Sequence, residues 1–100
     1  MTELKDFQAE ADKIVRVIDE KLGVKRDNNV AFIQLFEEIG ELVRQPSKEN
    51  IRKEKIDLGN LGEELADVMI LISNIASMNG VDLEEEINKK IDGLKRRHDL

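Results

Sequence analysis

Leu4, Phe7, Ala11, Ile14, Ile18 and Leu22 recur at three- and four-residue steps, with acids and lysines between them. This spacing predicts an amphipathic helix over about residues 2–22. Gly23 ends it, since glycine accepts the left-handed conformation that closes a helix. A polar connection follows, and Asn28 or Asn29 is placed to cap a second helix over 29–45. The apolar positions of that helix are Val30, Ile33, Phe36, Ile39 and Val43. Pro46, which lacks an amide hydrogen, is expected to close it. Phe32 and Phe36 are expected in the core rather than as a stacking platform for a base.

Residues 46–59 are too densely charged to assign, and a loop or a short helix fits them equally. Asn60 and Glu63 then stand at capping-box spacing, heading a third helix over 60–79 that Asn79-Gly80 stops. Within it Val68–Ile72 is apolar on every side, which implies contacts with more than one neighbour. A strand is the rival reading of those residues, but the flanking EELAD and SNIASM keep helical spacing. Asp82 and Glu85 repeat the capping-box spacing, and Leu83, Ile87, Ile91 and Leu94 stripe a last helix over 82–98. The expected architecture is one all-α domain over residues 1–100, a four-helix bundle-like fold. The surplus apolar surface of the third helix calls for self-association, as a homodimer or homotetramer.

Composition agrees with helices. The 100 residues are 40% hydrophobic and 38% charged, with a single proline and only three aromatics. The net charge of −6 speaks against nucleic acid, whose binding requires a basic surface. With no cysteine there is no disulfide, thiolate metal site or thiol nucleophile. No stretch is long and apolar enough to cross a membrane, and Met1–Leu22 lacks the apolar centre of a signal peptide. A cytoplasmic protein without a membrane partner is expected.

The acids of the second helix are harder to place. FEEIGELV sets Glu37, Glu38 and Glu41 beside Phe36, Ile39 and Leu42. Like charges four apart on a helix repel by roughly 0.2–0.5 kcal/mol, and no Lys or Arg stands four residues ahead to relieve them. They lie about two turns inside the helix, beyond the reach of its N-terminal dipole. LGEELADVMI repeats the pattern with Glu63, Glu64 and Asp67, although the dipole and a cap account for part of it there. A solvated acidic face is the bland alternative.

Residues three apart share a helix face, so Glu38 with Glu41, and Glu64 with Asp67, can each direct two carboxylates one way. If those helices pack together, four carboxylates converge on a site suited to a hard cation. A di-iron bundle requires Glu-x-x-His, and the one histidine is His98, near the C-terminus. The calcium-loop pattern is missing, as are the nitrogen and sulfur ligands that zinc favours. Magnesium or manganese remains.

EExxE followed by ExxD, here Glu37-Glu38-Ile-Gly-Glu41 and Glu64-Leu-Ala-Asp67, resembles the signature of the MazG-like, all-α nucleoside triphosphate pyrophosphohydrolases. EEIGEL, EELADVMI and GVDLEEEINKKIDGLKRR extend the likeness over about Asn28–Arg97. The resemblance implies a MazG-type fold and hydrolysis of a nucleoside triphosphate to monophosphate and pyrophosphate, in house-cleaning of nucleotides. It implies Mg²⁺ ligands at Glu38, Glu41, Glu64 and Asp67, with Glu37 supporting the site by orienting or deprotonating a water. Lys90 and Arg97 fall where the family meets the triphosphate. Asn74 lies on roughly the side of Asp67, and either a hydrogen bond to the nucleotide or an interhelical contact fits it. The chain departs from the family at Leu71, where an aromatic is usual, and at Leu94, where Asn is usual. Both positions concern nucleotide contacts. Two alternatives stay open, a phosphoribosyl-ATP pyrophosphohydrolase and a non-enzymatic helical oligomerisation module.

Overall fold

A computed structural model of the chain describes residues 3–50 and 55–100. Among the described residues four helices and no strands are present: α1 (Leu4–Leu22), α2 (Asn28–Asn50), α3 (Leu58–Met78) and α4 (Leu83–Arg97).

Local chemistry sets the boundaries. Gly23, at φ 68°, closes α1 with a paired motif: its amide donates to the Glu20 carbonyl and the Val24 amide to the Asp19 carbonyl. Gly80, also at φ 68°, repeats the arrangement after α3, with Val81 donating to the Ala76 carbonyl. An aspartate accepting from the amide three residues on opens each later helix. Asp27 takes Val30 N–H at 2.9 Å, Asp57 takes Asn60 N–H at 3.2 Å, and Asp82 takes Glu85 N–H at 3.1 Å.

Several expectations shift accordingly. Asp27, rather than Asn28 or Asn29, receives the first free amide of α2. Asp57 replaces Asn60 as the cap of α3, which starts two residues earlier than its apolar stripe predicts. At α4 the forward half of the capping box forms, while Glu85 turns its carboxylate to Lys89 at 3.1 Å. Pro46 does not end α2 but lies inside it. Proline's fixed φ is itself helical, so the helix can run past it, at a cost of about 3 kcal/mol and a lost bond to the carbonyl four residues back. Residues 55–57 are non-helical, and residues 51–54 of the unassigned 46–59 segment lie outside the described residues, as do residues 1 and 2.

α3 is the central element, packed against α1 on one side and α2 on the other, as the apolar run Val68–Ile72 implies. The buried apolar residues are few: Ala11 and Val15 of α1, Ala31 of α2, and Val68, Leu71 and Ala76 of α3. Gln8, Asp19, Gln45, Ser73 and Asn74 are buried with them. α4 packs chiefly on α1, has no comparable contact with α2 or α3, and buries no residue. Gln8 fixes this junction. Its Nε2 donates to Ser77 Oγ at 3.1 Å and the Val81 carbonyl at 2.8 Å, and its Oε1 accepts from Leu83 N–H at 2.9 Å.

The radius of gyration is 16.2 Å, against about 13 Å for a compact chain of this length. The accessible surface of 7790 Å² likewise exceeds the roughly 5,800 Å² expected of a globular monomer of this mass. Exposed apolar residues occur on all four helices, six of them on α2. Phe32 and Phe36, expected in the core, are 54% and 79% exposed, beside exposed Ile39 and Val43. At about 100° per residue these four side chains fall within roughly 60° of one another, on a stripe turned away from α3. No described helix is long and apolar enough to cross a membrane.

Candidate functional site

α2 and α3 bring their acidic pairs into one neighbourhood. Glu38 is half-buried, and its carboxyl is held above the ordinary carboxylate range. Burial is the main cause, followed by the charges of Glu41, Asp67, Glu37 and Glu64. Four carboxylates from two helices therefore act on Glu38, with Glu37, Glu41 and Asp67 exposed and Glu64 partly buried.

Two amides shape the α3 side of the cluster. Glu64 Oε1 accepts from Gln45 Nε2 at 3.1 Å and from Asn60 Nδ2, also at 3.1 Å. Asn60 lies one turn ahead of Glu64, so that contact was legible in the spacing. Gln45 comes from α2, 19 residues away, and no local pattern announces it. Glu64 Oε2 and Gln45 Oε1 are both buried with no hydrogen-bond partner. A buried acceptor left without a donor costs about 1–3 kcal/mol, so both atoms are unsatisfied as they stand.

The donor set is all oxygen, which fits a hard divalent cation better than zinc or copper. As the side chains stand, no group of three among the described residues is gathered closely enough to hold a metal ion.

The three expected substrate-binding residues lie on α3 and α4. Asn74 is 0% exposed and donates through Nδ2 to Asp12 Oδ1 at 2.9 Å. Asp12 also pairs with Arg16 at 2.8 Å, so Asn74 joins α3 to α1. Its Oδ1 is buried without a partner. Lys90 and Arg97 are exposed on α4, and α4 leans on α1 rather than on the helices that carry the acids. Within one chain the acids converge, and the two cations do not join them.

Two crevices adjoin α1, and the first reaches the cluster at Glu37. One, of about 460 Å³, is bounded by Val15, Ile18 and Leu22 of α1, Ile33, Gln34 and Glu37 of α2, and Leu71 of α3. The other, of about 530 Å³, includes Arg16, Glu20, Asn74 and Met78. Asp19, Val24 and Arg26 line both. Arg26 grips Asp19 with two nitrogens, Nε on Oδ2 and Nη2 on Oδ1 at 3.2 Å, and both side chains are about nine-tenths buried. The residues of this pair stand on opposite sides of the Gly23 turn, and helical periodicity does not reach across it.

Residues 24–100 match the family model described as the MazG nucleotide pyrophosphohydrolase domain. No curated protein and no solved structure gives a significant match to the chain.

Proposed function

Because the chain belongs to the MazG nucleotide pyrophosphohydrolase family, we propose that it hydrolyses nucleoside triphosphates between the α and β phosphates, releasing a monophosphate and pyrophosphate. The convergence of four carboxylates on Glu38, with Glu64 Oε2 left orphaned among them, is the observation that carries this reading. An acidic cluster alone would repel a polyphosphate. With a divalent cation it becomes a receptor for one.

Glu38, Glu41, Glu64 and Asp67 are the side chains that would hold Mg²⁺, or Mn²⁺ in its place. When bound, the cation neutralises phosphate oxygens and lowers the cost of in-line attack by water. Gln45 and Asn60 fix the carboxylate of Glu64, so one ligand is already oriented before a cation arrives. Glu37 is exposed beside the carboxyl of Glu38, where it can orient the attacking water and accept its proton. Lys90 and Arg97 stabilise charge on the departing pyrophosphate.

Since α4 packs on α1, those two cations reach acids through assembly, with a second copy completing the site. The surplus surface of roughly 2,000 Å² exceeds the about 800 Å² that one partner contributes to an interface of standard size. The exposed stripe of Phe32, Phe36, Ile39 and Val43 supports this reading. The biological role that follows is house-cleaning of the nucleotide pool.

The test is pyrophosphate release from a panel of triphosphates, with phosphoribosyl-ATP alongside. Activity should need Mg²⁺ and vanish in chelator, and Asp67→Asn or Glu41→Gln should lower kcat/KM at least a hundredfold. Either variant keeping full Mg²⁺-dependent activity would sink the ligand assignment. Preference for phosphoribosyl-ATP would move the chain to that sister activity.

A further inference from the structure

The crevice between α1 and α2 holds two polar atoms that the acidic cluster does not use. Arg26 Nη1 and Gln34 Oε1 are each buried without a partner. Both residues line a cavity of about 460 Å³ whose other walls include Ile18, Leu22, Ile33 and Leu71. Orphaned buried groups are costly to a fold, so a donor and an acceptor left unpaired in one apolar crevice call for an occupant. Arg26 can only donate. Asp19 occupies its Nε and Nη2, and thereby fixes where the free Nη1 stands.

A ligand matching these features has a flat apolar body and an edge carrying one acceptor beside one N–H donor. The edge of a heterocyclic base has that chemistry, as the pairing of arginine and glutamine side chains with base edges illustrates. Glu37 also lines the crevice and its charge acts on Glu38, so one elongated ligand can span the crevice and the carboxylates. We propose that Arg26 and Gln34 are the specificity-determining pair for the base. Arg26 Nη1–H donates to a ring nitrogen or keto oxygen, and Gln34 Oε1 accepts from the neighbouring N–H. Ile18, Leu22, Ile33 and Leu71 cover the faces of the ring, in a crevice with no aromatic lining. Asp19 is a positioning residue that acts through Arg26. The substrate class is a nucleoside triphosphate with an unmodified base edge, selected over one whose ring N–H is methylated. For the phosphate end this rests on the pyrophosphohydrolase reading.

Arg26→Lys and Gln34→Met are the variants of choice, because the first keeps a positive charge opposite Asp19 and the second keeps the volume. Steady-state kinetics on nucleoside triphosphates should show KM raised about tenfold in each variant, with kcat within about twofold of the parent. A triphosphate methylated at the ring N–H should be a poor substrate for the parent and gain nothing further from Gln34→Met. Unchanged KM in both variants, or kcat falling in step with KM, would overturn the assignment. Titration of free nucleosides, followed by NMR shifts of the crevice methyl groups, separates this inference from the reading it rests on. Nucleoside binding weakened in the variants of a chain that hydrolyses nothing would uphold the base site and remove the pyrophosphohydrolase. Hydrolysis with nucleoside binding equal in all three proteins would do the reverse.

Discussion

Glu38 meets resistance to ionisation from burial first and from four neighbouring carboxylates after it. Its folded pKa is raised, so the folded state holds this proton more tightly than the unfolded chain does. Its contribution to stability is then fully present below the ordinary value of 4.5 and is lost as pH rises through the raised one. Two outcomes follow for the metal-free protein. Thermal melts of Glu38→Gln in chelator should show a higher melting temperature than the parent at pH 7, and a difference that shrinks towards pH 4.5. The same substitution should abolish activity, since it removes a proposed ligand. Adding Mg²⁺ at ten times its dissociation constant should stabilise the parent by about 1.4 kcal/mol. Gln34 and Arg26 line the crevice that Glu37 borders but answer to a different part of the ligand, so their variants should leave that Mg²⁺-induced shift intact.

Each helix after the first is opened by an aspartate whose carboxylate holds the amide three residues on. Asp57→Ala should cost about 1 kcal/mol, measured by urea unfolding. At α3 the loss has a second reading, because fraying of the first turn displaces Asn60 from Glu64. Metal affinity should fall with Asp57→Ala and stay unchanged with Asp82→Ala, which caps a helix remote from the acids. The number, order and approximate extent of the helices were legible in the three- and four-residue recurrence of apolar positions. Both glycine stops were legible too, because αL geometry is a local property. What escaped was the choice between adjacent caps, where Asp57 and Asn60 each offer suitable chemistry, and the passage of α2 through Pro46. In the site, the acids declared themselves by repelling one another along each helix. Gln45, Gln34 and the Asp19–Arg26 pair did not, because their partners come from elsewhere in the fold or their atoms have none.

At the scale of the molecule, a small core and an extended outline leave the single chain short of buried apolar surface. Ala11, Ala31 and Ala76 bury little each, while Phe32 and Phe36 face outward. Charging that stripe should therefore act on association before it acts on the fold. Phe36→Lys should lower the sedimentation coefficient and make the melting temperature less dependent on protein concentration, with helix content by circular dichroism retained. If Lys90 and Arg97 serve the acids of another copy, an inactive Glu38→Gln chain mixed with an inactive Lys90→Ala chain should regain part of the parental activity. A mixture that stays silent after subunit exchange would place both contributions in one chain.

Gln8 turns the α3–α4 junction into a fixed elbow. One amide group spends two donor contacts and one acceptor contact on Ser77, Val81 and Leu83, which span the end of one helix and the start of the next. α4 beyond it is a lever of 15 residues, about 22 Å long. A swing of about 10° at the elbow would carry Arg97, at the far end, through about 4 Å, more than the reach of a hydrogen bond. The aim of the terminal cation is thus governed by a glutamine at the opposite end of the chain.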